Sequence, residues 1–291
     1  TQGGSEIFNC AGDVNVSSNH ALAAGTTMNL TGTGEVVKVD NPSGLGTINI
    51  RGTYRVQTGV YAGAVNLGYA ATTTSIDLDS LELQCSSFSR VAGTLETLDI
   101  NGGTLDVDGA CDLSGIVVDD TATGGQIECS GNFTIDATST LDELVSVTLT
   151  GGASNVSVNV SDNQGDVTID SSGTITAAAA QYWDSITMTL GTFDLAGYAL
   201  DLDEGITGTA GTIDMDVSTV ALSGTFNGAN ITVTGNAVGG LPATIEGGTI
   251  QNVDATMAHI DARGIDGSQP VDGGGNDNVR FARGLVGGGV F

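Results

Sequence analysis

The chain has 291 residues, of which 45 are Gly and 3 are Pro, with 40% hydrophobic and 14% charged residues; that is enough apolar content for a core and argues against wholesale disorder. Seven Lys and Arg stand against 34 Asp and Glu, a formal net charge of −27, so the surface repels nucleic acid and anionic lipid. Aromatic residues make up 4%, which suits a thin core of Val, Ile, Leu and Ala better than one broad globular interior.

Residues 1–12 are irregular and are expected to cap the start of the fold. From residue 13 to about 260, strand-sized runs recur: Thr47-Ile48-Asn49-Ile50, Ala64-Val65-Asn66-Leu67, Ser75-Ile76-Asp77-Leu78-Asp79 and Thr104-Leu105-Asp106-Val107-Asp108. Later come Asp166-Val167-Thr168-Ile169-Asp170, Thr212-Ile213-Asp214-Met215-Asp216 and Asn230-Ile231-Thr232-Val233-Thr234. Side chains alternate across a strand, so each run puts aliphatic groups on one face and Asp, Asn or Thr on the other. Thr-Gly and Ser-Gly turns separate the runs. Such monotony over some 250 residues predicts stacked coils: an all-β, right-handed parallel β-helix (β-solenoid) of 10–12 coils with short caps. The alternative is an antiparallel β-sandwich or β-prism, since Asn101-Gly102 between Leu98-Asp99-Ile100 and Thr104-Leu105-Asp106-Val107 is a strong hairpin signal.

Helix signals are sparse; Thr176-Ala177-Ala178-Ala179-Ala180-Gln181-Tyr182-Trp183 has room for one or two turns. No stretch reaches the roughly 18 apolar residues needed to span a membrane as a helix. The chain starts at Thr1 without Met, as after initiator removal or cleavage of a longer leader. From Asp261 the composition changes, and residues 261–291 are expected to be a capping or assembly segment. It holds three of the seven basic residues, Arg263, Arg280 and Arg283. Arg280, Phe281, Arg283, Leu285, Val286 and Phe291 are its candidate contacts with another chain.

Four cysteines, Cys10, Cys85, Cys111 and Cys129, form no C-x-x-C pair, so zinc spacing is absent. Cys111 and Cys129 lie about one coil apart and are expected to be neighbouring thiols within disulfide reach.

The Asp-x-Asp pairs at 77/79, 106/108, 201/203 and 214/216 read as two carboxylates side by side on a strand face. A solvated outer face is the first reading; calcium, with its oxygen ligands, is the one cofactor such pairs admit, and catalysis comes last, because the pattern recurs and a catalytic site occurs once. Pectate-lyase-like β-helices depend on Arg and Lys with calcium-binding Asp, and polygalacturonase-like ones on paired Asp with Gly-His-Gly and Arg-Ile-Lys. Here Asp119-Asp120 is the only adjacent Asp pair, His20 and His259 lack the Gly frame, and Lys38 is the only Lys. Thr-x-Thr pairs at 148/150, 174/176, 187/189 and 232/234 resemble the ladders of ice-binding solenoids, and Tyr182-Trp183 with Tyr54, Tyr61, Tyr69 and Tyr198 could line a sugar groove. Core packing and ordinary strand propensity explain both patterns more simply.

The Gly/Thr/Asp-rich strand monotony resembles β-helical surface proteins of tailed phages: fibres, whiskers and decoration proteins. So does the closing stretch Ile260-Asp261-Ala262-Arg263-Gly264-Ile265-Asp266 with Val271-Asp272-Gly273-Gly274-Gly275-Asn276-Asp277-Asn278-Val279-Arg280-Phe281. The resemblance implies a non-enzymatic virion component on the particle surface or outside the cell. It implies a homo-oligomer, a trimer by that analogy, in contact with other virion proteins and a host surface glycan, without nucleic acid or membrane insertion. The rivals are a secreted bacterial adhesin or surface-layer protein, and a polysaccharide-active β-helix enzyme.

Overall fold

A computed structural model of the chain describes residues 5–20, 22–40, 46–68, 74–91, 96–122, 124–158, 165–235, 243–253, 260–263, 271–276 and 279–281. Among them there is no helix; the secondary structure is strands and turns. The strands stack in parallel as a β-solenoid of about 11 turns. The antiparallel alternative is not realised, because every strand pairing described is parallel, as in Thr104–Val107 against both Glu82–Arg90 and Gln126–Cys129.

Each coil carries three strand positions, as in Glu96–Asp99, Thr104–Val107 and Cys111–Asp112. These define three faces, taken in that order. On the first, Tyr54, Ile76, Leu98, Val118 and Leu141 stack inward on successive coils. On the second, the inward column runs Leu83, Leu105, Ile127, Val147, Val167, Ile186, Ile206, Phe226, Ile250. On the third it runs Met28, Ile48, Val65, Phe88, Cys111, Phe133, Val156. All of these are buried, each contributing about 1.5–3 kcal/mol for a full-sized aliphatic or aromatic side chain. The core is thus a narrow rod. Its one tryptophan, Trp183, is fully buried and stacks on Phe133 at a centroid distance of 6.2 Å. The segment with helical potential instead contributes the end of one strand, Asp166–Ala177, and the start of the next, Gln181–Asp194.

The rise from one coil to the next takes 20 residues between Ile7 and Thr27, 17 between Thr47 and Ala64, 22 between Thr104 and Gln126 and 24 between Thr225 and Thr249. This variation hides the repeat from a fixed-period reading of the sequence. Where corners stack most tightly only glycine fits: a Cβ on Gly173 would collide with the Gly152 carbonyl.

The ladders extend to the first and last strands described. Ile7–Cys10 pairs with Thr27–Leu30 and is the first rung of the third face. Past residue 260, Ile260–Arg263, Val271–Gly274 and Val279–Phe281 join the stack as parallel strands.

Candidate functional surface

The outward residues fall into columns, and the columns show what the polar surface does. On the third face, Asn29 donates its side-chain amide to the Asn9 carbonyl oxygen at 2.8 Å, Asn49 to Asn29 at 2.9 Å, and Asn66 to Asn49 at 2.8 Å. The Ser89 hydroxyl closes the row on Asn66 at 3.0 Å. Five successive rungs are thus tied edge to edge by side chains.

The acidic residues have a second structural use. Asp77, Asp112, Asp120, Asp136, Asp142 and Asp194 each accept a hydrogen bond from the backbone N–H two residues ahead. These are Asx-type turns, in which a short carboxylate stands in for a backbone acceptor. They sit at corners. Asp79 and Asp216 lie just past two such corners with φ of 48° and 45°, and their N–H groups donate to Asp77 and Asp214. The pairs 77/79 and 214/216 are therefore turn builders and not two carboxylates on one strand face. Asp201 and Asp203 do share a strand and are both exposed. Asn101-Gly102 is also a corner: both residues have positive φ, 45° and 74°, as a type I′ turn requires. It joins the first face to the second within a coil and pairs no antiparallel strands.

One acidic column is under electrostatic load. Asp77, Asp99 and Asp119 occupy adjacent rungs of the first face, at the roughly 4.8 Å spacing of neighbouring strands. Burial, reinforced by the carboxylates of Asp77, Asp119 and Asp120, pushes the Asp99 carboxyl up to about 6. Asp120 itself is buried and accepts from the backbone of Gly102, Ala122 and Gly125. The adjacent pair Asp119-Asp120 is thus one stacked surface carboxylate and one corner cap. Among the described residues, no group of three or more His, Cys, Asp or Glu is placed to hold a metal ion.

Cys85, Cys111 and Cys129 are buried in the rod as free thiols. The interaction with Cys129, with burial, raises the Cys111 thiol, whereas the interaction with Cys111 and the Gly131 backbone lowers that of Cys129 against the effect of its burial. Both are free thiols, with no disulfide between them. Cys85 is pushed strongly upward by burial.

The threonines line up more fully than their sequence pairs indicate. Thr148, Thr168, Thr187 and Thr207 occupy consecutive rungs of the second face, and Thr174, Thr192, Thr212 and Thr232 those of the third. Asp194 and Asp214 share the third-face array, so it mixes hydroxyls with charge. Among the described aromatic residues, Tyr54 and Trp183 are buried, whereas Tyr198 stands exposed just past a turn. Tyr69 and His259 lie outside the described residues, as do Arg283, Leu285, Val286 and Phe291; Arg280 and Phe281 belong to the last strand of the first face. Two shallow clefts open on the surface, one lined by Glu35, Thr53, Arg55 and Asp77, the other by Ser185, Glu204, Thr207 and Thr225.

No known protein family, curated protein or solved structure matches the chain.

Proposed function

We propose that the protein is a non-catalytic structural component of a virion surface, a fibre, whisker or decoration protein that presents an acidic solenoid to the medium. The observation that carries this reading is the use of its outward polar residues. Asparagines tie coil to coil and aspartates fold the corners, so much of the polar exterior serves the rod itself. The remainder is a row of carboxylates and hydroxyls repeated from rung to rung. A repeated surface suits a repeated partner: further copies of the chain, other particle proteins, and a glycan on the host. The charge of −27 keeps such rods soluble and apart at high local concentration.

The test is immunogold microscopy of lysates from the source cells, with an antibody raised against the purified chain. Gold on released particles is expected. Gold confined to the cell envelope would replace this reading with a secreted adhesin. Depolymerisation of envelope or capsule polysaccharide by the purified chain would replace it with an enzyme.

A further inference from the structure

One outward column of the second face has a gap. It runs from Glu82 to Thr249, and its later rungs are Asp166, Ser185, Gly205 and Thr225. Gly205 is the only glycine in it, and nothing larger fits, because a Cβ there would run into the backbone of Thr225. Gly224 beside it is held to glycine in the same way by the Glu204 carbonyl. The missing side chains leave a cleft of about 300 Å³ between Ser185 and Thr225, rimmed by Glu204 and Thr207. A β-bulge sets that rim. Trp183 pairs with Leu202 and Ser185 with Gly205, so Asp203 and Glu204 stand opposite Asp184 alone. A bulge re-aims a side chain in this way, and Glu204 is exposed at the edge of the gap.

The walls have hydrogen-bonding capacity to spare. Ser185 donates its hydroxyl to Asp166 at 2.6 Å, which leaves its oxygen as an acceptor. Glu204, Thr207 and Thr225 make no side-chain hydrogen bond or ion pair with another described residue. The charge nearby is of one sign. Burial, reinforced by Asp203, Asp166, Glu143 and Glu204, raises the Asp184 carboxyl, and the chain has no Lys or Arg between Arg90 and Arg263. Two tyrosines stand on the first face, which leads into the cleft. Tyr182 alternates with the buried Gln181 and Trp183, so it faces outward, in register beside Asp201. Tyr198, 43% exposed, precedes the strand that carries Asp201 and Gly205.

We propose that the Gly205 cleft holds one ring of an uncharged glycan whose chain runs on over Tyr182 and Tyr198. The occupant follows from three features. A sugar ring has apolar faces and a rim of hydroxyls, so it lies against bare backbone at Gly205 while its hydroxyls donate to Glu204 and exchange hydrogen bonds with Ser185, Thr207 and Thr225. An apolar ligand would leave those groups unpaired as it covered them. The tyrosines offer an apolar ring with a polar tip, which suits the C–H face of the sugars that follow. The one-signed field repels uronic acids and sulfated or phosphorylated sugars, so the glycan is uncharged. This deepens the proposed contact with a host glycan, and rests on that reading for where the sugar is met.

The experiment is isothermal titration calorimetry of the full-length chain with hexasaccharides of glucose, galactose and mannose, with hexagalacturonate, and with a glucosamine hexamer. Saturable binding of at least one neutral probe is expected, and none of hexagalacturonate. Glu204→Ala should raise the Kd about tenfold or more, the loss of a hydrogen bond to a charged group. Tyr198→Ala should raise it about threefold or more. Thr225→Phe, which fills the cleft from its wall, should abolish binding, whereas Thr232→Phe on the third face should leave it unchanged. Circular dichroism reads the fold of each variant, and the exposed Glu204 decides the matter should Thr225→Phe disturb it. No saturation by any neutral probe at about 10 mM, ten times a weak millimolar Kd, would overturn the proposal. So would binding indifferent to Glu204→Ala, or binding of the glucosamine hexamer alone, which would mean that the carboxylates hold a cation. Gold on particles without sugar binding would strike this site alone; sugar binding with gold on the cell envelope would keep the site and strike the virion reading.

Discussion

At the residue scale, the sharpest test lies where a charge is buried. Glu96 points inward between Thr74 and Ile116 on the first face, its side chain fully buried, and meets the Arg90 guanidinium at 2.5 Å. Its other carboxylate oxygen has no hydrogen-bond partner. Removing one member of such a pair strands the other in the core. Arg90→Ala should therefore cost about 3–5 kcal/mol in denaturant unfolding. Adding Glu96→Leu to it should recover most of that loss, since the column is apolar on the Ile116 side. A loss below about 1 kcal/mol for Arg90→Ala, the range of an exposed pair, would show that the ion pair is solvated.

Asp99 gives a second test, in pH. Its carboxyl is raised to about 6 in the folded chain, against about 3.9 in an unfolded one. Between those values the native state holds the proton more tightly. Stability from this group is thus present at the acid end and lost as pH rises through about 6. Asp99→Asn should raise the melting temperature at neutral pH and flatten its fall between about pH 4 and pH 6, because the amide carries no charge. An unchanged pH profile in this variant would mean that the stacked carboxylates do not feel one another. The raised Asp106, Asp184 and Asp216 act in the same direction as Asp99, whereas Asp40 and Asp136, held low by hydrogen bonds from Thr58 and Thr138, act in the opposite one.

At the element scale, the asparagine row acts as a seam along one edge of the rod. Asn49 both donates to Asn29 and accepts from Asn66. Asn49→Ala breaks two hydrogen bonds, each worth about 1 kcal/mol net, so a loss of about 2 kcal/mol is expected in chemical denaturation. Ser89→Ala, at the end of the row, breaks one bond and should cost about half as much. Equal losses at the two positions would mean that the row is not a continuous seam. The alternation that builds the strands was legible in the sequence, because Thr47-Ile48-Asn49-Ile50 shows its two faces directly. The seam was not, although Asn9, Asn29 and Asn49 sit at a constant step, because the next step shortens to Asn66. Corners were half legible. Asn101-Gly102 announces a turn, but a dipeptide says nothing about which strands the turn joins. Asp77-Leu78-Asp79 alternates like a strand, yet its second aspartate turns out of line with positive φ. An aspartate before an apolar residue and then a turn former is the local signal that separates the two, and it recurs at Asp112-Leu113-Ser114-Gly115 and Asp194-Leu195-Ala196-Gly197.

At the scale of the whole molecule, the fold is a one-dimensional object. Each coil contacts mainly its neighbours, so stability accumulates coil by coil. Few aromatics suffice because the core is one side chain deep from each face, with Phe88, Phe133, Phe193, Phe226 and Trp183 as its large members. The stack itself was legible because strand-sized runs with the same two faces recur from residue 13 to about 260. The continuation of the ladders into residues 271–281 was not, since a strand of three or four residues among glycines carries too little alternation to register. Successive coils rise by one strand spacing along a single axis. Pulsed electron–electron distance measurement between spin labels on the outward positions of the second face tests it. Thr104 and Ser185 stand four rungs apart and Thr104 and Thr225 six, following Gln126, Ser146, Asp166, Ser185 and Gly205. At about 4.8 Å per rung the separations should be roughly 19 Å and 29 Å, rising linearly with the number of coils. A Thr104–Thr225 distance equal to or shorter than the Thr104–Ser185 distance would contradict the stack.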